Sequence, residues 1–417
     1  MERTSESMKN LLLCFALFLV FPPLAGWAQE SPVDLYNQGV EALKENRVDD
    51  AITLLNRAIQ LDPMDHLAYN NLGVAYKRKG LLDKAIDSYT RALELKPDYA
   101  YALANRGTAK LKKGDVDGAL SDLTAAAALK KRDSVIRTTI GLAYLQKGDL
   151  DKAVKEILQG ISFNKKNLRA YMALGEIYQR KKDYGRAIEA FVRGIELSGK
   201  GEDVTEVEKK IATLRKVYAE DLHRDGLELY RHGKEKEAVA RWTQALKVAP
   251  TMVGLHRDRG LTLHRMEHYK KAIEDFDAAL EQDPGNAELH RIRGDSFYKL
   301  KQYDRALVDY TRSIQLNARD AIAYNNRGLV YHEQSELDKA LSDYTQAIAL
   351  DASNPTFYEN RALIFLAKGD PRKALEDYRK ALARVTEEKL RGLLEEKVAE
   401  ITKSMAESEP TATTTLR

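Results

Sequence analysis

Cysteine is almost missing from this chain: Cys14 is the only one in 417 residues, and it sits inside an apolar run near the N-terminus. The expected mature chain has no cysteine, hence no disulfide, thiolate nucleophile or thiolate metal site. A dominant charge is lacking as well. Lys and Arg number 67 against 63 Asp and Glu, a formal net charge of +4. Spread over a body of this size, that balance is too thin to imply nucleic acid as a partner. No nucleophile elbow, phosphate-cradling glycine loop or dinucleotide fingerprint occurs. No catalytic residue, cofactor or metal site is therefore expected, and the chain reads as a non-enzyme.

Long hydrophobic runs are confined to one place. Met8-Lys9-Asn10 leads into the uncharged stretch 11–21, then Pro22-Pro23 and the small-residue exit Gly26-Trp27-Ala28. This is the layout of a secretory signal peptide over residues 1–28, cleaved after Ala28. The run is short and quickly broken by prolines, unlike a membrane-spanning helix. The expectation is an exported, periplasmic protein with no stable membrane insertion after cleavage. A signal anchor in the inner membrane is the alternative.

What the chain has in abundance is periodicity. An alanine recurs every 34 residues at Ala51, Ala85, Ala119, Ala153 and Ala187, and again at Ala238, Ala272, Ala306, Ala340 and Ala374. Twelve residues before each stands a glycine, from Gly39 to Gly328, replaced once by Ala362. Seven residues after it comes Ala, Gly or Ser. With the glycine as position 8, the units are 32–65, 66–99, 100–133, 134–167, 168–201, 219–252, 253–286, 287–320, 321–354 and 355–388. Each holds two stretches with apolar residues at helical spacing, separated by a turn such as Lys147-Gly148-Asp149. Small residues at positions 8, 20 and 27 let two helices approach closely. Position 24 supplies a filler: Leu55, Tyr89, Leu123, Ile157, Phe191, Trp242, Phe276, Tyr310, Tyr344, Tyr378. One such unit cannot bury its own apolar faces, so stability must be shared along a stack.

In the second unit Tyr69, Leu72, Gly73, Tyr76, Ala85, Tyr89, Ala92 and Pro97 stand in the pattern of the tetratricopeptide repeat. The chain resembles that family over about 340 of its 417 residues. The resemblance implies an all-α, right-handed α-solenoid of ten helix-turn-helix repeats that binds proteins or extended peptides. Residues 207–214 line up with 394–401, so five repeats plus a helix are written twice. The expected organisation is module 1 over 32–201, a capping or bridging helix over 202–218, module 2 over 219–388, a second capping helix over 389–407 and a loose tail over 408–417. Oligomeric state does not follow from the sequence.

The resemblance also implies that positions 2, 5, 6, 9, 12 and 13 of each first helix face a concave groove. Three columns stand out there. Position 6 is asparagine at Asn37, Asn71, Asn105, Asn326 and Asn360; an amide both donates and accepts, so a ladder of them can hold a peptide backbone. Asparagine is also common at this position of the repeat, and both readings stay open. Position 13 is basic at Lys44, Arg78, Lys112, Arg180, Arg231, Arg265 and Lys299. That stripe implies an acidic ligand, or merely cations placed favourably at helix C-termini. Position 12 carries Tyr230, His264, Tyr298 and His332 in the second module, against Leu43, Lys77, Leu111, Leu145 and Gln179 in the first. These rings form a recognition surface or serve helix packing. The contrast implies different ligands for the two grooves.

Arg106, Arg259, Arg293, Arg327 and Arg361 at position 7 invite an anion-binding interpretation, but each has an aspartate at position 23 of its own unit: Asp122, Asp275, Asp309, Asp343 and Asp377. An interhelical salt bridge is expected instead, with signs reversed at Asp225 and Arg241. His264-Arg265-Met266-Glu267-His268 matches a zinc-hydrolase string, yet it crosses the turn between two helices and so should not place both histidines on one face. The lysine and asparagine that chaperone-binding members of the family use at positions 5 and 9 are absent. The expected function is a protein- or peptide-binding scaffold in an extracytoplasmic compartment. The alternative is an adaptor subunit of an envelope assembly or polysaccharide-export machine.

Overall fold

The computed structural model describes residues 31–199 and 203–408; the expected leader over 1–28 and tail residues 409–417 lie outside them. The described residues form 21 helices and no strand. The first five repeats are the pairs α1 (Pro32–Lys44) and α2 (Val48–Leu61), α3 (His66–Arg78) and α4 (Leu82–Leu95), α5 (Ala100–Lys113) and α6 (Val116–Leu129), α7 (Ser134–Lys147) and α8 (Leu150–Phe163), α9 (Leu168–Arg180) and α10 (Tyr184–Leu197). The long α11 (Thr205–Arg231) pairs with α12 (Glu235–Val248). Then come α13 (Leu255–Arg265) and α14 (Tyr269–Gln282), α15 (Ala287–Lys299) and α16 (Tyr303–Leu316), α17 (Ala321–Glu333) and α18 (Leu337–Leu350), α19 (Pro355–Ala367) and α20 (Pro371–Leu382), and finally α21 (Glu388–Ser408). No helix among the described residues is long and apolar enough to cross a membrane.

Local chemistry sets the helix ends. Asp65, Asp133, Asn167, Asn286, Asp320 and Asn354 each accept a backbone N–H at the start of a first helix, satisfying donors that the helix itself leaves orphaned. Every pair turns at position 15, which has positive φ in all ten repeats. Five of these residues are glycines (Gly80, Gly114, Gly148, Gly233, Gly369); the others are Asn46, Lys182, Glu267, Lys301 and Ser335. Behind each left-handed residue the chain closes on the preceding helix, as where Gln302 N–H donates to Phe297 O at 2.8 Å.

The core runs between the helices of each pair. All ten position-20 alanines are fully buried, and all ten position-24 fillers are at most 1 % exposed. Glycine at position 8 is what lets the filler in. A β-carbon at Gly226 would lie 2.3 Å from Nε1 of Trp242, inside contact distance of a rigid ring.

The chain divides into two compact units, one ending at Ile211 and one beginning at Ala212. That division falls inside α11. Of the segment expected as a capping or bridging helix over 202–218, residues 205–218 are the N-terminal part of a 27-residue helix that continues as the first helix of the sixth repeat. In the first unit its Lys210 ammonium lies 5.2 Å from the Phe191 ring centroid and Ile211 is buried. In the second unit α21 lays Leu390, Leu394, Val398 and Ile401 against the core around Tyr378. Within each unit, first helices of successive repeats touch one another, whereas successive second helices make no comparable contact. The first helices therefore line the inner side of each stack.

Two substitutions test this account by chemical denaturation. Gly226→Ala should cost about 1–3 kcal/mol by overpacking against Trp242. Lys301→Gly should stabilise the chain by about 1 kcal/mol, because a left-handed side-chain residue is relieved.

Candidate functional site

On the inner helices, the asparagine column is half-buried and tied between repeats. Asn71 donates to the Tyr36 hydroxyl at 3.0 Å, Asn105 to Asn70 Oδ1 at 3.2 Å, and Asn360 to Asn325 Oδ1 at 2.8 Å. Asn326 donates to Asp295 at 2.8 Å and accepts from Asn325 at 3.0 Å. Asn37, in the first repeat, is exposed. Most of these amides thus bond a residue of the preceding repeat. A side-chain amide offers two donors and a two-lone-pair acceptor, so each retains capacity beyond these bonds.

The basic column is partly engaged in bonds between repeats. Arg78 donates to Leu43 O at 2.5 Å and Arg180 to Leu145 O at 3.2 Å, both carbonyls at the end of the previous first helix. Arg265 pairs with Glu235 and lies 4.4 Å over the Tyr230 ring. Lys44 pairs with Glu41 one turn away at 2.7 Å. Lys112, Arg231 and Lys299 are exposed. Arg78, Arg180 and Arg265 thus hold one repeat to the next.

The Tyr/His column is also engaged in packing. Tyr230 lies 6.2 Å from Trp242, centroid to centroid. His264 Nδ1 is 2.8 Å from Ser296 Oγ, and burial lowers its pKa. Tyr298 stands 5.8 Å from Tyr303, with its pKa raised by burial and then by Glu333. His332 is half-buried. Packing thus takes up Tyr230, His264 and Tyr298.

The arginines of position 7 form the expected interhelical bridges, each through two bonds. Arg293 donates from Nε and Nη2 to Asp309 at 2.8 and 2.7 Å, and Arg106, Arg259, Arg327 and Arg361 repeat this geometry. Their third nitrogen reaches position 25 of the preceding repeat, as from Arg259 to Thr243 at 3.0 Å. Two histidines at position 4 add to the same carboxylates: His256 to Asp275 at 2.7 Å and His290 to Asp309 at 3.1 Å. In the fourth repeat Arg137, also at position 4, pairs instead with Glu156 at 2.8 Å. The reversed pair does not form. Asp225 and Arg241 are both exposed and share no ion pair among the described residues. The physical reason is burial: a carboxylate at position 23 is sealed inside and must be paired, whereas a guanidinium there reaches water and need not be.

Sequence reasoning missed three features. Lys79, Lys113, Lys147, Lys181 and Lys368 at position 14 each bridge an aspartate at position 18 of the preceding repeat; a recurring separation of 30 residues was the available signal. Lys77, the one cation in the first module's position-12 column, is half-buried and donates to Asn105 Oδ1 at 3.1 Å. In the fifth repeat Leu174 and Ala190 replace the Arg–Asp pair and line a cavity of about 650 Å³, which no predicted groove residue touches. The zinc-like string is split as expected, with His264 in the last turn of α13 and His268 preceding α14. Among the described residues no group of three or more His, Cys, Asp or Glu could hold a metal ion.

Family models of the tetratricopeptide repeat match residues 36–100, 104–164, 168–200, 231–294 and 355–384, and a TPR repeat model matches 294–335 and 329–369. The chain belongs to the tetratricopeptide repeat family. No curated relative matches the sequence significantly. Among solved structures it is similar to MamA (27% identity, 42% of this chain and 96% of that one, TM-score 0.37). It is also similar to yeast Tom70 (16%, 91% and 97%, 0.40). A third likeness is YrrB, described as a TPR protein with an unusual peptide-binding site (22%, 41% and 88%, 0.35).

The bridges predict a split in energetics that urea titration can read. Arg293→Ala should cost about 3–5 kcal/mol, because it strands the buried Asp309. Arg241→Ala should change stability by less than about 0.5 kcal/mol.

Proposed function

We propose that this tetratricopeptide repeat protein is a non-catalytic scaffold that holds extended segments of partner proteins along the first helices of each unit. The family and the all-helical fold support a protein-binding scaffold. The observation that carries the finer reading is the set of half-buried amides, Asn71, Asn105, Asn326 and Asn360, each tied into its own stack yet with bonding capacity to spare. Backbone N–H and C=O groups of a partner are the complement of such amides, and they are available whatever the partner's sequence. The apolar leader at residues 11–21 supports export, so the compartment proposed is extracytoplasmic, the periplasm in a bacterial cell.

Photo-crosslinkers placed in the full-length protein test both parts. A probe at Asn105 should capture partners that a probe at the exposed Glu94 on α4 does not, and the Asn71→Ala, Asn105→Ala double variant should weaken capture about tenfold, or about 1.4 kcal/mol. Equal capture at both places removes the groove reading. Contacts that survive high salt and map to second helices would favour the envelope adaptor instead. Cell fractionation that leaves the protein in the cytoplasm removes the export reading.

A further inference from the structure

The two units present inner faces of different charge. In the first unit the inward positions hold six cations, Lys44, Lys77, Arg78, Lys112, Arg169 and Arg180, against one acid, Glu176. That acid has a cation of its own, Lys210, at 3.9 Å. In the second unit the same positions hold six cations and six acids. There Arg291 lies 3.6 Å from Asp295 and 3.2 Å from Asp320.

Three of the other cations of the first unit act on Lys77. Its ammonium is pushed down to about 8, by burial first and then by Lys112, Arg78 and Arg169. Arg169 belongs to the fifth repeat, three repeats beyond Lys77, so the inner face brings distant repeats within electrostatic reach. Among the described residues Lys77 itself meets neutral groups: Asn105 Oδ1 at 3.1 Å and the Tyr89 ring at 5.9 Å. The Tyr89 hydroxyl beneath it is buried with no hydrogen-bond partner among the described residues, as is that of Tyr344 in the second unit. The Tyr310 hydroxyl, in the same column of the second unit, donates to Asp295 at 2.8 Å. Lys112 and Arg169 are exposed and have no acidic partner among the described residues. A half-buried ammonium surrounded by like charge lacks a counter-ion, and a carboxylate supplied from outside is the chemical complement.

We propose that the inner face of the first unit selects acidic peptides, with a ligand carboxylate seated at Lys77 and held by Lys112 and Arg169. This rests on the inner-face reading above and adds a ligand class to it. The second unit does not share the selectivity, because its inward charges cancel.

The test uses the full-length protein and two labelled, end-blocked peptides, one alternating Glu with Gly and the other Gln with Gly, at fixed ionic strength. The Glu peptide should bind at least about tenfold more tightly. Lys77→Met should weaken it about five- to tenfold, leave the Gln peptide unchanged, and raise the melting temperature by about 2 °C or more, since an uncompensated buried charge is removed. Equal binding of both peptides overturns the proposal, as does failure of the Glu peptide to bind. So does an equal loss in Lys165→Gln, a control at an exposed turn, because diffuse surface charge would then be responsible. If crosslinks at Asn105 persist after such a failure, only the acidic selectivity falls. If they vanish too, the inner-face reading falls with it.

Discussion

Close approach of two helices is the constraint from which the rest follows. Each repeat packs a filler from its second helix onto a glycine, or in the tenth onto Ala362, of its first, and Trp242 against Gly226 is the tightest case. That contact cannot form unless the chain reverses sharply, which is why position 15 is left-handed throughout, even where Lys182, Glu267 or Lys301 must adopt it. The energetic penalty of those turns is small and local, whereas the packing they permit is repeated in every pair.

Charge is used in two separate ways on this framework. Between the helices it is sealed: Asp275 and Asp309 are almost fully buried, and each is satisfied by a two-bond guanidinium and a histidine. Desolvated carboxylates of this kind demand partners, and their value lies in geometry as much as in stability. On the inner surfaces charge is open, and there the two units part. The second balances its cations with its own acids; the first leaves Lys77 with neutral neighbours and like charge. A protein with two faces so different in field has the means to distinguish partners at encounter as well as by contact.

Several residues in columns that read as recognition surfaces also serve as joints. Arg78 and Arg180 close the helix end of the repeat before, Tyr230 lies under Arg265, and His264 bonds Ser296. Each of these residues has an inward position in the repeat, so periodicity alone could not separate a side chain aimed at a ligand from one folded back onto a neighbour. Lys77 is the converse case: the sequence shows a lone cation in its column, and only its surroundings show that its charge is left open.

The amino-acid sequence by itself determined the repeat length, the small residues and fillers that pair the helices, and the Arg–Asp columns, because each depends on contacts within one repeat at fixed separation. Tertiary structure decided what depends on how repeats meet. It ran residues 205–218 on into the sixth repeat as one helix and brought Arg169 within reach of Lys77. Burial and field at a side chain are set by the stack around it, and no count of residues along the chain contains them.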